Sequence, residues 1–354
     1  MQLAQPTAPA EQPRAAPARF DRLAWLFRSS QADGRPHPLL KPVACLRGAC
    51  DDAAIVPPRP PAVPATPPQP RHTVDRAWLC RQVNSLPALP QALTAAMQVL
   101  RHEDSSGAAC AEALSRDPAL VAQVLRLANA AVYGRSGRIA HLHEAVLMLG
   151  RQQLGAVLTA AAVVGQFDQA ACPGFDLQRF WREALSCGIA AQALAVELGA
   201  DAGLAFTTGL LHDMGRLVFA TRLPGALTEA QAWARLHDQP LHCAEREVLG
   251  IDHAEAGALL ARHWHFPPAV VVAIASHHGP GQPHAVAGQA SLTDLLQGAD
   301  AITHALDLHQ AEDERVPAVC PRLAQRLQLG PERCARVLAV TEQGVLAVAQ
   351  GLVV

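Results

Sequence analysis

Of the chain's 28 prolines, 15 precede residue 71, and they culminate in VPPRPPAVPATPPQP at 56–70. A ring-locked φ and a missing amide donor forbid helix interior and central strand alike across such a stretch. Residues 1–73 therefore read as a disordered, proline-rich head, and the core must be built beyond it. One island interrupts the head: ARFDRLAWLFRSS (18–30) sets Phe20, Leu23, Leu26 and Phe27 at helical spacing. Such an island can dock on a partner or on the folded body, but a transient helix is its commoner fate in a proline-rich tail.

From Val74 onward the composition shifts to Ala, Leu, Val and Gln, and the apolar period is helical nearly throughout, with no sheet-forming alternation. Asp117 followed by Pro118 supplies an N-cap and first-turn pair for a helix presenting Leu120, Val124, Leu127 and Ala128. Two helices meeting near Gly150 are expected over 141–167, then one with Trp181, Leu185, Gly188 and Ala191 inward. Further helices are expected over 205–220 and 227–237, three more broken by Gly250 and by Pro267-Pro268, and a last one over about 330–350. With 50% hydrophobic residues the chain can bury a large core, but with one Tyr and eight Phe that core must be aliphatic and its helices closely packed. The fold class expected is all-α.

Lys plus Arg is 29 against 31 for Asp plus Glu, a net charge of −2, and no dense basic run offers a track for a phosphate backbone. Nucleic acid is thus a poor partner. The nine cysteines are scattered without a CxxC pair, as in a reducing cytoplasm. The opening MQLAQPTAPAEQPR lacks the charged-then-apolar order of a signal peptide, and no apolar run reaches the roughly 18 residues of a membrane span. No GxxxxGK[ST], strand-linked GxGxxG or GxSxG occurs, which argues against P-loop, dinucleotide and serine-hydrolase chemistry. Cys187, amid Ala, Leu and Gly, reads as core rather than as a nucleophile.

The polar pair in GLLHDMGRL (209–217), His212-Asp213, stands inside an apolar run, unlike the second such dipeptide, His237-Asp238, which lies in a polar stretch before Pro240. A carboxylate beside an imidazole in a helix-lined interior needs a partner: a metal ion, an Arg, a backbone amide or another His. Later segments place His253, His277-His278 and Asp300 near successive helix ends, as helical bundles do when they assemble metal sites. Mixed N and O donors would suit Mn, Fe, Mg or Zn. A metal-free, hydrogen-bonded core remains the alternative. His263 and His265, two residues apart on a helix, face different ways and read as packing or solvated groups, and Asn129 and Tyr133 as interhelical bonding.

The ordered series LPALPQALTAAMQVL, LSRDPALVAQVLRLANAAVYG, HEAVLMLGRQQLGAVL, LLHDMGRL, LGIDHAEAGALLARHW, AIASHH and GADAITHAL resembles the HDOD proteins, regulatory relatives of the HD-domain metal phosphohydrolases. The resemblance implies an HDOD domain over 74–310, with a first helical subdomain at about 78–168, an HD-like bundle at about 175–310, and a helical extension over 311–354. It also implies a metal set of His212, Asp213, His253, His277, His278 and Asp300. In active HD phosphohydrolases a histidine on the preceding helix is an essential ligand, and here FWREALSCG places Glu183 there. Glu183 could still hold a hard cation through oxygen. The family further implies a module that binds other signalling proteins, with a second-messenger nucleotide as a conceivable input. The competing reading, a metal-dependent phosphohydrolase of a nucleotide or cyclic dinucleotide, lacks a GYP stretch after the double histidine, where the chain reads HHGPGQPHAV.

Overall fold

The computed structural model describes residues 19–28, 36–48, 74–86, 107–115, 121, 141, 175–279, 289–308 and 315–351. The helices expected between Asp117 and residue 167, with Asn129 and Tyr133, fall outside these save for single positions. Among the described residues the structure is helical, without a strand. Among the described residues, four helices come before the main body: α1 (Arg19–Leu26), α2 (Leu40–Leu46), α3 (Arg76–Asn84) and α4 (Gly107–Leu114). The body runs α5 (Leu177–Leu198), α6 (Ala202–Leu211), α7 (Met214–Arg222), α8 (Pro224–His237), α9 (Leu241–Leu249), α10 (His253–His263), α11 (Pro268–Ser276) and α12 (Leu292–Ala305). Two more, α13 (Pro321–Arg326) and α14 (Pro331–Gly351), close the chain.

Helix α5 is the axis. Asp176 caps it by accepting from the Arg179 amide at 2.8 Å, and Gly199 ends it in the left-handed region at φ 67°. It packs against α6, α12 and α14. The fully buried stripe is Phe180, Ala184, Cys187, Ala191 and Leu194, whereas Trp181 and Leu185, expected inward, are only half-buried against Phe206 and Leu210. Gly188 and Ala191, also expected inward, are buried, and a methyl on Gly188 would stand 3.1 Å from the Phe206 carbonyl oxygen of α6. Cys187 is fully buried, which pushes its thiol up and suppresses the thiolate.

Among the described residues, two large apolar cores flank the small Ala184, Phe206 and Leu210 cluster. One joins α5, α12, α13 and α14; the other joins α7 to α11. Helix α3 belongs to the second, with Leu79, Val83 and Leu86 buried in it and the Val74 amide donating to the Leu249 carbonyl at 3.0 Å. Within the island at 18–30, α1 packs into the first core. Leu23, Leu26 and Phe27 of α1 are buried beside Leu39, Leu40 and Val43. Arg22 forms a two-point pair with Asp307 at 2.6 and 2.9 Å, and Arg28 holds Asp238 at 2.8 Å. Asp238, the acid of the second His-Asp dipeptide, caps α8 in the left-handed region (φ 49°) and also receives Arg315 at 2.6 Å. That dipeptide is a structural clasp for segments from both ends of the chain.

Candidate metal centre

The one helix expected over 205–220 is two. His212 closes α6 at φ −56°, Asp213 turns at φ −97° and ψ 10°, and α7 begins at Met214. Close backbone approaches lie on either side of the break. A methyl group on Gly209 would meet the Cys187 carbonyl oxygen at 2.7 Å, and one on Gly215 would overlap the His253 carbonyl and meet the Gly257 nitrogen at 2.6 Å. Helices α7 and α10 therefore touch backbone to backbone. That contact sets Asp213 beneath His253, the first residue of α10.

Three histidines share one device. His212 Nδ1 lies 2.7 Å from the Gly209 carbonyl, His277 Nδ1 2.7 Å from the Ile274 carbonyl, and His253 Nδ1 2.5 Å from Glu245 Oε2. Each acceptor is an oxygen without a proton, so Nδ1 donates and Nε2 is left to face inward. The three Nε2 atoms meet at Asp213 Oδ1, at 3.3 Å from His212, 3.1 Å from His253 and 3.4 Å from His277. Among the described residues, Asp213 Oδ1 and His277 Nε2 are buried without a hydrogen-bond partner. Ligand atoms bound to one ion at about 2.0–2.1 Å stand about 3.0–3.4 Å apart in octahedral or tetrahedral coordination. The orphaned atoms and their spacing fit a shared divalent cation.

His278 Nε2 lies 2.8 Å from His253 Nε2, and the His278 ring stacks on His242 with centroids 4.0 Å apart. Ligand atoms of Asp213, His253, His277 and His278 all lie within 4.8 Å of one another. Burial opposes the Asp213 charge, but His212, His253 and His277 outweigh it and hold the carboxyl well below its usual range. Burial likewise opposes a charge on His253, yet Glu245 and Asp213 hold its imidazolium well above the ordinary range. Burial and the neighbouring imidazoles press His278 well below that range, and His242 to about 4.

Of the seven residues named from the sequence, four form this group, and His212 adjoins it through Asp213. Asp300 stands alongside. Its Oδ1 is 3.2 Å from His304 Nδ1, and burial of its carboxyl is outweighed by His304, His212 and His277, which hold it below its usual range. Glu183 lies elsewhere in the network: its Oε2 accepts from Arg216 Nη1 at 3.1 Å, and the same nitrogen donates to Asp213 Oδ2 at 2.9 Å. Sequence reasoning missed Arg216, Glu245 and His242. Glu245 had a signal, an acidic residue on the buried stripe of Ala244, Val248 and Leu249, eight positions before His253.

Imidazoles and a carboxylate converging at helix ends in an all-helical body define an HD-related protein. More narrowly, the chain belongs to the HDOD domain family, whose model matches residues 86–280. It is similar to a suggested phosphohydrolase from Shewanella amazonensis at 34% identity, with a TM-score of 0.59 over 78% of this chain and 98% of that one. An HDOD domain protein of unknown function from Geobacter sulfurreducens (22% identity, TM-score 0.55, 78% and 93% coverage) shares the fold. So does a suggested signal transduction protein from Marinobacter aquaeolei (22%, TM-score 0.63, 75% and 59%). An uncharacterized protein of Treponema pallidum is 30% identical over 59% of this chain, and ribonuclease Y of Streptococcus pyogenes 33% over 36%. The match spans 40% of the former's length and 18% of the latter's. No helix among the described residues is long and apolar enough to cross a membrane.

Proposed function

We propose that this chain is a cytoplasmic, bacterial-type HDOD signalling module. It binds other signalling proteins, and its HD-derived centre holds a divalent metal through His212, Asp213, His253, His277 and His278 without hydrolysing a substrate. A second-messenger nucleotide is a candidate input. The observation that carries this reading is the pairing of Glu183 with Arg216. At the position where the hydrolytic enzymes of the wider HD group carry a histidine ligand, this chain has a carboxylate bound to a guanidinium, and the remaining donors suit Zn, Fe or Mn. The bound ion would supply Lewis acidity; the chain's own part is to fix three imidazole tautomers and keep the donors buried.

A second reading, hydrolysis of a nucleotide phosphodiester, draws support from the Asp213 and histidine cluster and from the likeness to the Shewanella protein and to ribonuclease Y. Metal analysis of the purified chain, with assays against generic and cyclic dinucleotide phosphodiesters, separates the two. Bound metal without turnover is expected. Turnover that disappears in His212→Ala would establish the enzyme instead.

A further inference from the structure

We propose that Arg216 takes the place of a second metal ion, so that the centre holds one divalent cation and no more. The proposal rests on the metal-holding reading above and goes beyond it to the number of ions, and with that to the class of chemistry open to the site.

A pair of ions clamping a phosphate stands about 3.5–4 Å apart and needs anionic donors on both sides. Asp213 would be the carboxylate to bridge such a pair, and its two oxygens have different partners. Oδ1 faces the Nε2 atoms of His212, His253 and His277, while Oδ2 accepts from Arg216 Nη1 at 2.9 Å. The same nitrogen reaches Glu183 Oε2 at 3.1 Å, and Glu183 occupies the position where the wider HD group carries a histidine ligand. One guanidinium therefore binds both the outer oxygen of the bridging carboxylate and the substituted ligand. Arg216 lies three residues after Asp213 on the first turn of α7, so its arm folds back over the aspartate, with Phe180 beneath the guanidinium at 6.0 Å.

Charge and burial make this occupation hard to reverse. The Arg216 side chain is 14% exposed and those of Glu183 and Asp213 are 11% and 7% exposed. A guanidinium remains charged at any working pH, and charge-assisted bonds to two buried carboxylates are stronger than neutral ones. A second dication would have to expel it, breaking both bonds and leaving a buried cation unpaired. On the other side of Asp213 no guanidinium intervenes among the described residues: Oδ1 and His277 Nε2 are buried without a hydrogen-bond partner there. The centre is thus divided into an ion side and an arginine side, with Asp213 as the partition.

The test is the number and magnetic state of bound ions. The full chain, stripped with chelator, is titrated with Mn²⁺ by calorimetry and examined by electron paramagnetic resonance. About one ion per chain, with the hyperfine sextet of an isolated Mn²⁺, is expected. About two ions with an exchange-coupled spectrum would overturn this inference and leave the metal-holding reading standing. No binding at millimolar Mn²⁺ would overturn that reading and this inference together. The double variant Glu183→His/Arg216→Met, its fold checked by circular dichroism, is expected to take up a second ion. A folded double variant that still binds a single ion would show that Arg216 is not what excludes the other.

Discussion

His253 is bound twice by one buried carboxylate. Glu245 Oε2 accepts the His253 backbone amide at 2.8 Å and its Nδ1 hydrogen at 2.5 Å, and Glu245 is fully buried. One side chain from α9 therefore fixes the start of α10 and the tautomer of a metal-facing ring. Glu245→Ala leaves both donors buried without an acceptor, a cost of about 1–3 kcal/mol in stability. Metal affinity should fall about 10–100-fold with it, the usual effect of removing the carboxylate behind a ligating imidazole. Urea unfolding and metal titration of the variant check both. Wild-type affinity would show that the ring orients itself.

The contact between α7 and α10 depends on Gly215, where an added methyl would overlap the His253 carbonyl. Backbone cannot rotate aside as a side chain can. Gly215→Ala is expected to lose about 1–3 kcal/mol of stability, as overpacked cores do. It should also weaken metal binding, because separating the two helices separates Asp213 from His253. Gly225, where a methyl would meet nothing within 4 Å, provides the control: Gly225→Ala should leave metal affinity unchanged.

What the sequence disclosed and what it hid follow from the range of the signals. Helices α9 to α11 were legible because Gly250 and the Pro267-Pro268 pair punctuate a strong apolar period, whereas α8, expected from 227, starts at Pro224. The approach of His212, Asp213, His253, His277 and His278 was legible only as an ordered series of motifs. The break at His212-Asp213 was not, since apolar residues continue on both sides of the pair and the backbones packed beside it belong to α5 and α10, distant in sequence. The pairing of Glu183 with Arg216 was out of reach for the same reason. A carboxylate pattern says nothing of which cation reaches it, and Arg216 arrives from another helix. The docking of α1 was hidden by the prolines around it, while the residues that hold it, Asp238 and Asp307, lie more than 200 positions away.

A ligand that binds only the folded state raises its stability by about 2.7 kcal/mol at a free concentration 100 times its Kd. For a domain of this size that corresponds to a Tm shift of roughly 5–10 °C. Chelator should therefore lower the Tm of the metal-loaded chain by about that amount. His277→Ala, which removes one of the inward Nε2 atoms, should abolish the difference between chelated and loaded protein. Identical melting curves with and without metal would favour a hydrogen-bonded core.

Asp238 receives Arg28 at 2.8 Å and Arg315 at 2.6 Å, and the Arg28 side chain is 2% exposed. Truncation of the shared acid removes the carboxylate that two guanidiniums hold in common, one of them deeply buried. Asp238→Ala should destabilise the attachment of α1 by about 3 kcal/mol or more, in line with broken buried pairs. Limited proteolysis should then cut near residue 28 well before the body around α5. An unchanged cleavage pattern would place the anchoring energy in Leu26 and Phe27 instead.

The same segment should respond to acid through His37. Its ring is buried 5.2 Å from that of Phe27, Nδ1 accepts the Leu39 amide at 3.2 Å, and Nε2 donates to the Pro317 carbonyl at 3.2 Å. Only the neutral ring can do both, since a protonated Nδ1 cannot accept. Burial lowers its pKa from 6.5 to about 4, against a smaller upward pull from the Pro317 carbonyl. Between those values the unfolded chain binds a proton that the folded chain refuses. The stability due to neutral His37 is therefore complete above pH 6.5 and is lost as pH falls toward 4, a loss on the order of 3 kcal/mol at most. Urea unfolding followed by the fluorescence of Trp25, which stacks under Arg28 at 3.8 Å, should show the wild type losing stability from pH 7 to pH 5 faster than His37→Gln. Parallel pH profiles for the two proteins would assign the acid sensitivity to other groups.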